Sequence, residues 1–297
     1  MLRLFNPFYR TVFQKLFGHS SVARKMASCL LGRKIKGAKE KSGPLVVQPR
    51  ARLTDIKTVW AVSYVDYEFH IEAEDGSNNV IETKIMQGRK PIDYAIYGRF
   101  RKEMGKKGSV LSAPLFICFL EEQVKGCDVT VLEKRNGSFV DKETGNGIVE
   151  FDSSFGWLTE GSIVVQISAL ENCRNETLKK VLSIFVHDEV GGTSVRTVRL
   201  DDKEFPSDYF EIVERLAFIT VDVDVLTNLY GEDDYLSVLI GQERQLEERM
   251  RLIAEKDKVI AERGIVERYE VLEKAIDVLV EKTGVSREEA EKLVRGN

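Results

Sequence analysis

The sequence predicts an α/β fold: an αβββαβ core over residues 1–125, a mixed α+β extension over 126–230 and a helical C-terminal region over 231–297. Three observations carry that expectation. The hydrophobic period changes from helical spacing to two near Ile56, and returns to helical spacing after Pro91. A short apolar run, Leu115 to Leu120, then follows as a buried strand would. From Tyr235 onward the chain is polar and helix-prone.

Phe5, Phe8, Tyr9, Val12 and Leu16 have helical period, and Val22, Met26 and Leu30 repeat it, with Ser20 or Ser21 as a cap between the two. Gly32 to Pro49 is basic, contains glycine and lacks a period, so it reads as a mobile loop. Val59, Ala61 and Ser63 then alternate with Trp60, Val62 and Tyr64 as a first strand. Phe69, Ile71 and Ala73 alternate with Glu68, His70, Glu72 and Glu74 as a second, with Asp66 at its head. Asp75-Gly76-Ser77-Asn78-Asn79 supplies turn residues, and Val80 to Met86 is the third strand. Pro91 at the first helical position, followed by Ile92, Ile96 and Phe100, predicts a helix to about Lys107.

Farther on, Asn136-Gly137 between two apolar runs is a hairpin signal. Ile148–Phe151, Ile163–Leu170 and Thr193–Leu200 read as strands, and Glu176–Val186 as a helix. Leu239, Leu246, Ile253 and Ile260 recur every seven residues, but the companion row Leu236, Glu243, Met250, Asp257 is half charged. That favours an amphipathic helix docked on its own domain over a long coiled coil. Ser286-Arg-Glu-Glu289 is a capping box for a last short helix.

Composition excludes several classes. With 43% apolar and 31% charged residues the chain is an ordinary globular protein. The longest apolar run, Ala113 to Leu120, is far shorter than the roughly 20 residues that span a bilayer. No apolar signal region follows Arg3 and Arg10, so the expected location is cytoplasmic, with no membrane partner. Cys29, Cys118, Cys127 and Cys173 are scattered, as are His19, His70 and His187; reduced buried thiols are expected rather than a zinc cage. No Walker-type loop or Gly-x-Ser-x-Gly elbow occurs.

The net charge of −4 hides an asymmetry. Residues 1–50 hold eleven Lys and Arg against one acid, Glu40. A second basic stretch contains Lys84, Arg89, Lys90, Arg99, Arg101, Lys102, Lys106 and Lys107. Clustered cations suit a polyanion, because each neutralised phosphate releases counterions. A solvated basic surface without a partner accounts for the same charges.

The chemistry-bearing element is Glu82-Thr83-Lys84 in the third strand. Residues i and i+2 of a strand share a face, so the carboxylate and the ammonium project together. Metal-assisted phosphodiester hydrolysis needs oxygen ligands for a divalent ion and a cation near the attacked phosphate. An acid two residues before a lysine occurs three times, at Asp55-Ile-Lys57, Glu82-Thr-Lys84 and Asp201-Asp-Lys203. The middle one stands out through context: an apolar third strand after a hairpin, an upstream Asp66, then Gln87 and a basic helix. A two-residue turn would put Asp66 on the far face. A three-residue turn would pair Glu82 with His70 and Lys84 with Glu68, placing Asp66, Glu68, Glu82 and Lys84 together. With a longer loop, Glu68 or Glu72 becomes the alternative acidic partner.

This combination resembles the PD-(D/E)XK nuclease superfamily, whose core is the αβββαβ unit with Asp on strand two and Glu-x-Lys on strand three. Within it, the chain is most similar to the recombination-promoting nucleases, also described as PD-(D/E)XK family transposases. Phe13-Gln-Lys-Leu-Phe17-Gly18 is similar to that group's Phe-Lys…Phe-Gly motif, and Thr283-Gly-Val-Ser-Arg-Glu-Glu289 to its Thr-Gly-Leu-Ser-x-Glu-Glu ending. The likeness covers residues 5–120 and the tail; residues 125–230 match nothing. Arg10 stands where the group has an early acid, Val65 replaces the proline before Asp66, and Lys84 is the superfamily's usual lysine where many relatives have glutamine. The helix pattern of Arg and Tyr is loosely matched by Tyr97 and Arg99.

The resemblance implies a restriction-endonuclease-like core and a metal-dependent DNA endonuclease of mobile-element type. Asp66, Glu82, Lys84 and Gln87 would be catalytic, with Mg²⁺ or Mn²⁺ on Asp66, Glu82 and the Thr83 carbonyl. Lys34, Lys36, Lys39, Arg89, Lys90, Arg99, Arg101 and Lys102 would hold duplex or single-stranded DNA, and the C-terminal helices would serve a homo-oligomer. The alternative is a catalytically silent nuclease-fold protein acting as a nucleic-acid or protein interaction module.

Overall fold

A computed structural model describes residues 2–47, 62–72, 78–106, 114–148, 151–186, 197–201 and 203–232, with isolated positions between 248 and 291. The chain divides into two compact units, Met1–Asp233 and Asp234–Asn297.

The first unit is a mixed α/β structure with a central eight-stranded sheet. In chain order it contains β1 (Leu2–Phe5), α1 (Arg10–Phe17), α2 (Ser20–Leu31), β2 (Ile35–Val47), β3 (Val62–Glu72) and β4 (Asn78–Gly88). Then come α3 (Pro91–Lys106), β5 (Leu115–Leu120), β6 (Val131–Arg135), β7 (Ser138–Asp141), β8 (Gly147–Ile148), β9 (Ile163–Gln166), α4 (Glu176–Leu182), β10 (Thr197–Leu200) and α5 (Phe210–Thr220). Residues 223–232 are also helical. The large sheet runs β2-β3-β4-β5-β9-β6-β7-β8, and β1 pairs with β10 in a separate two-stranded sheet. β2, β3 and β4 are antiparallel neighbours; β4, β5 and β9 are parallel. The strands of residues 126–166 therefore continue the sheet begun before residue 125.

Each face of the sheet carries an apolar layer. On one, Phe13 and Phe17 of α1 meet Phe119, with ring centroids 6.4 and 5.5 Å away, and Phe119 stacks on Phe185 at 4.7 Å. The buried Tyr67 hydroxyl donates to the Phe17 carbonyl at 2.6 Å, tying the end of α1 to β3. On the other face, Met86, Phe116, Cys118 and Leu120 pack with Tyr94 and Tyr97 of α3 and with Phe155. Burial of side chains this large is the main stabilising term for such a sheet.

Helix starts are capped from a distance or from within. α1 has no acid in its first turn, and Glu232 supplies one: its carboxylate accepts from the Arg10 and Thr11 amides at 2.9 and 3.0 Å. α3 is capped by its own buried Asp93, which accepts from the Arg89 and Lys90 amides at 2.9 Å each.

Several sequence expectations change. Most of the basic stretch expected as a loop is a strand: Ile35–Val47 is the edge strand β2. Its period is broken by bulges between Ile35 and Gly37, Glu40 and Ser42, and Ser42 and Leu45, the last of which spans Pro44. Val62–Glu72 is a single strand, so Asp66 lies inside β3 rather than at its head; the rest of the expected first strand, residues 56–61, lies outside the described residues. The strand expected to reach Leu170 ends at Gln166 and gives way to a 3-10 helix, Ile167–Asn172. The Asn136-Gly137 turn is present, with φ of 52° and 79° as a two-residue hairpin of this hand requires.

In the second unit the described positions are mostly helical. Arg287 there pairs with Glu273 at 2.5 Å and Asp277 at 3.0 Å. Among the described residues no helix is long and apolar enough to cross a membrane.

Candidate active site

β3 and β4 pair with Asp66 opposite Lys84, Glu68 opposite Glu82 and His70 opposite Val80. The expected pairs, Glu82 with His70 and Lys84 with Glu68, are thus displaced by two residues, because the connection spans residues 73–77. A slip of two preserves the faces. Asp66, Glu68, Glu82 and Lys84 therefore project from the same side of the sheet, the side that α3 covers farther along at Met86 and Phe116.

Two ion-pair groups form on this face. The inner one joins the Lys84 ammonium to Asp66, with side-chain exposures of only 19% and 17%. The same ammonium lies over the Tyr64 ring, 4.4 Å from its centroid. Tyr64 meets Tyr97 of α3 edge-on at 5.7 Å. Burial, and then the charge of Asp66, push the Tyr64 hydroxyl up to about 12. Tyr97 is pushed up by burial, and it feels the opposing charges of Asp66 and Arg101.

The outer group is more open to solvent. Lys41, the extra residue in the second bulge of β2, reaches across β3 to Glu68 at 3.1 Å and Glu82 at 2.5 Å. Both carboxylates raise its ammonium pKa, Glu82 more strongly. Two acids from adjacent strands thus converge on one cationic nitrogen.

The remaining predicted residues are distributed as follows. Thr83 is buried between β3 and β5, opposite Tyr67, and is the first β4 residue to pair with β5. Glu72 ends β3 opposite Asn78, four pairs from the Glu68–Glu82 pair. Gln87 requires a correction: three residues after Lys84 in a strand, it points to the opposite face. There it is buried beside Ser63 and Phe119, with no hydrogen-bond partner for Oε1 among the described residues, and it cannot orient water at Lys84.

Among the basic residues, Lys34, Lys36 and Lys39 are exposed on or just before β2, and Lys39 lies opposite Glu68. Arg99 and Lys102 are exposed on α3. Arg101, four residues after Tyr97, is half-buried with its guanidinium 4.8 Å from the Phe116 ring centroid. It is Arg101 rather than Arg99 that shares the Tyr97 side of the helix. Arg89 is bound to Glu121 through two nitrogens, and Lys90 is 3.9 Å from Glu122, at the far end of β4 and β5.

The donor chemistry fits a small divalent cation. Mg²⁺ is commonly held by one or two carboxylates together with water and substrate phosphate, and Glu68 and Glu82 supply two hard oxygens that already share a cation. Among the described residues no group of three or more His, Cys, Asp and Glu is arranged to hold a metal by protein ligands alone. No protein-family model, curated protein or solved structure matches the chain.

Proposed function

We propose that the protein is a divalent-cation-dependent DNA endonuclease with a restriction-endonuclease-like core, of the mobile-element type that the sequence resembles. The observation that carries this reading is one face of two antiparallel strands, β3 and β4, bearing Asp66, Glu68, Glu82 and Lys84 together, inside an α-β-β-β-α-β order. Glu68 and Glu82 are the first ligands for Mg²⁺ or Mn²⁺, with Asp66 beside them and the Thr83 carbonyl as the backbone candidate. When bound, the ion supplies charge neutralisation and Lewis-acid polarisation of the phosphate.

The chain's own groups do the rest. Lys84, held by Asp66 and backed by Tyr64, presents a fixed positive charge where negative charge grows in the transition state. Lys34, Lys36 and Lys39 extend a line of exposed cations along the sheet edge for the DNA backbone, and Arg99 and Lys102 add a second from α3. Water is the nucleophile, and no covalent intermediate on the protein is required.

A specific observation favours the alternative, a nuclease-fold interaction module without catalysis. All three carboxylates face ammonium groups, and Gln87 lies on the wrong face. Incubation of supercoiled plasmid with Mg²⁺ and with EDTA separates the two. Nicking with the ion only supports hydrolysis; DNA retention without nicking supports the module.

A further inference from the structure

Lys41 is the least foreseen residue on this face. The β2–β3 ladder runs from Glu40 opposite Tyr67 to Ser42 opposite Asp66, so Lys41 is an inserted residue without a ladder partner. Such bulges re-aim a side chain. Here the re-aimed side chain passes over β3 and places its ammonium between Glu68 and Glu82, on two different strands, at 3.1 and 2.5 Å. The residue that the ladder itself sets opposite Glu68, Lys39, makes neither contact. β2 is the edge of the sheet, and the Lys41 side chain is 39% exposed, so this arm can leave without disturbing a core. Exposed ion pairs of this kind are weak and readily exchanged.

We propose that Lys41 is a built-in stand-in for the divalent cation: it neutralises Glu68 and Glu82 while the ion is absent and is released when the ion binds. This rests on the reading of Glu68 and Glu82 as ion ligands. Two consequences follow from competition for the same oxygens. The ammonium weakens ion binding, and ion binding frees a cation at the sheet edge, on the same side as Lys39, where it can meet phosphate. Ion and DNA binding are then reciprocally coupled through one lysine.

Calorimetric titration of Mn²⁺ into the full chain tests the idea without reference to cleavage. Lys41→Met is expected to bind Mn²⁺ about tenfold more tightly than the wild type, the equivalent of removing two exposed ion pairs. Lys39→Met controls for general charge and is expected to gain far less; adding Glu68→Gln to Lys41→Met is expected to remove the gain. Thermal unfolding without Mn²⁺ verifies that each variant is folded. In the wild type, Ca²⁺ should tighten binding to a short duplex, and Lys41→Met should lose that enhancement. Equal Mn²⁺ affinity of wild type and Lys41→Met, or an equal gain in Lys39→Met, overturns the proposal even if plasmid is nicked. A selective gain in Lys41→Met without nicking by any variant leaves the stand-in role intact and removes the nuclease reading. No Mn²⁺ binding by any variant overturns both.

Discussion

Gly98→Ala probes how α3 is seated above the candidate site. In an unpacked helix this change stabilises by about 1 kcal/mol, because alanine has the higher propensity. At residue 98 the new methyl group would lie 2.2 Å from Trp157 Cδ1 and 2.6 Å from its Cγ and Nε1. The indole has little room to retreat. Its N–H donates to the Ser154 carbonyl at 2.8 Å, and its ring is held against Tyr97 and Phe116 at 5.2 and 4.9 Å. Overpacking of this kind costs about 1–3 kcal/mol, so the propensity gain is outweighed and the net change is a loss of up to about 2 kcal/mol. For a unit of this size that corresponds to a fall of up to about 4–8 °C in Tm. Circular dichroism melts of wild type, Gly98→Ala, Trp157→Leu and the double variant complete a cycle. With the indole removed, Gly98→Ala should become neutral or stabilising. An alanine at 98 that raises Tm with Trp157 present would refute the close approach, and with it the seating that brings Tyr97 and Arg101 to the site.

Two further expectations concern pH and salt. Burial pushes the Asp93 carboxyl up to about 7 from an ordinary 3.8. Between those values the folded state keeps a proton that the unfolded chain has released, so stability falls as pH rises through that window, by about 4 kcal/mol at most. Asp93→Asn retains an acceptor for the Arg89 and Lys90 amides and should flatten Tm against pH between 4.5 and 8; an unchanged slope would contradict the assignment. For DNA binding, five or six neutralised phosphates give a log–log salt slope of about −5 on duplex. Reversing Lys34, Lys36 and Lys39 to Glu should flatten it, whereas reversing Lys256 and Lys258 should not. Salt-independent binding would leave the basic edge as a solubilising surface.

What could be read from the sequence follows the physics of each element. β3, α3 and β5 carry strong local signals: a period-two run, a proline at the first helical position, an unbroken apolar hexapeptide. Asn136-Gly137 announced its hairpin because both residues tolerate positive φ. β2 was hidden because three bulges and Pro44 erase its period, and β1 because its partner, Thr197–Leu200, lies almost the whole unit away in sequence. The site was legible by face but not by pair. Strand parity groups Asp66, Glu68, Glu82 and Lys84 whatever the even slip, whereas which acid meets which depends on the β3–β4 register, which the sequence does not spell out. Parity also carried the information that Gln87 points away from Lys84, and the i, i+4 rule favoured Arg101 over Arg99 beside Tyr97. Lys41 had no such signal: a bulge residue follows neither period.

The most direct test of the central claim is nicking of supercoiled plasmid in Mg²⁺ by wild type, Glu82→Gln and Lys84→Met, with each variant's Tm measured alongside. Glu82 is on the open part of the face, so Glu82→Gln should change stability by no more than about 1 kcal/mol. Lys84→Met, in contrast, leaves the mostly buried Asp66 without its ammonium and should cost up to about 3 kcal/mol. The account predicts Mg²⁺-dependent nicking by the wild type, and its loss in both folded variants. Wild-type rates from Glu82→Gln, or nicking that persists in EDTA, would contradict it.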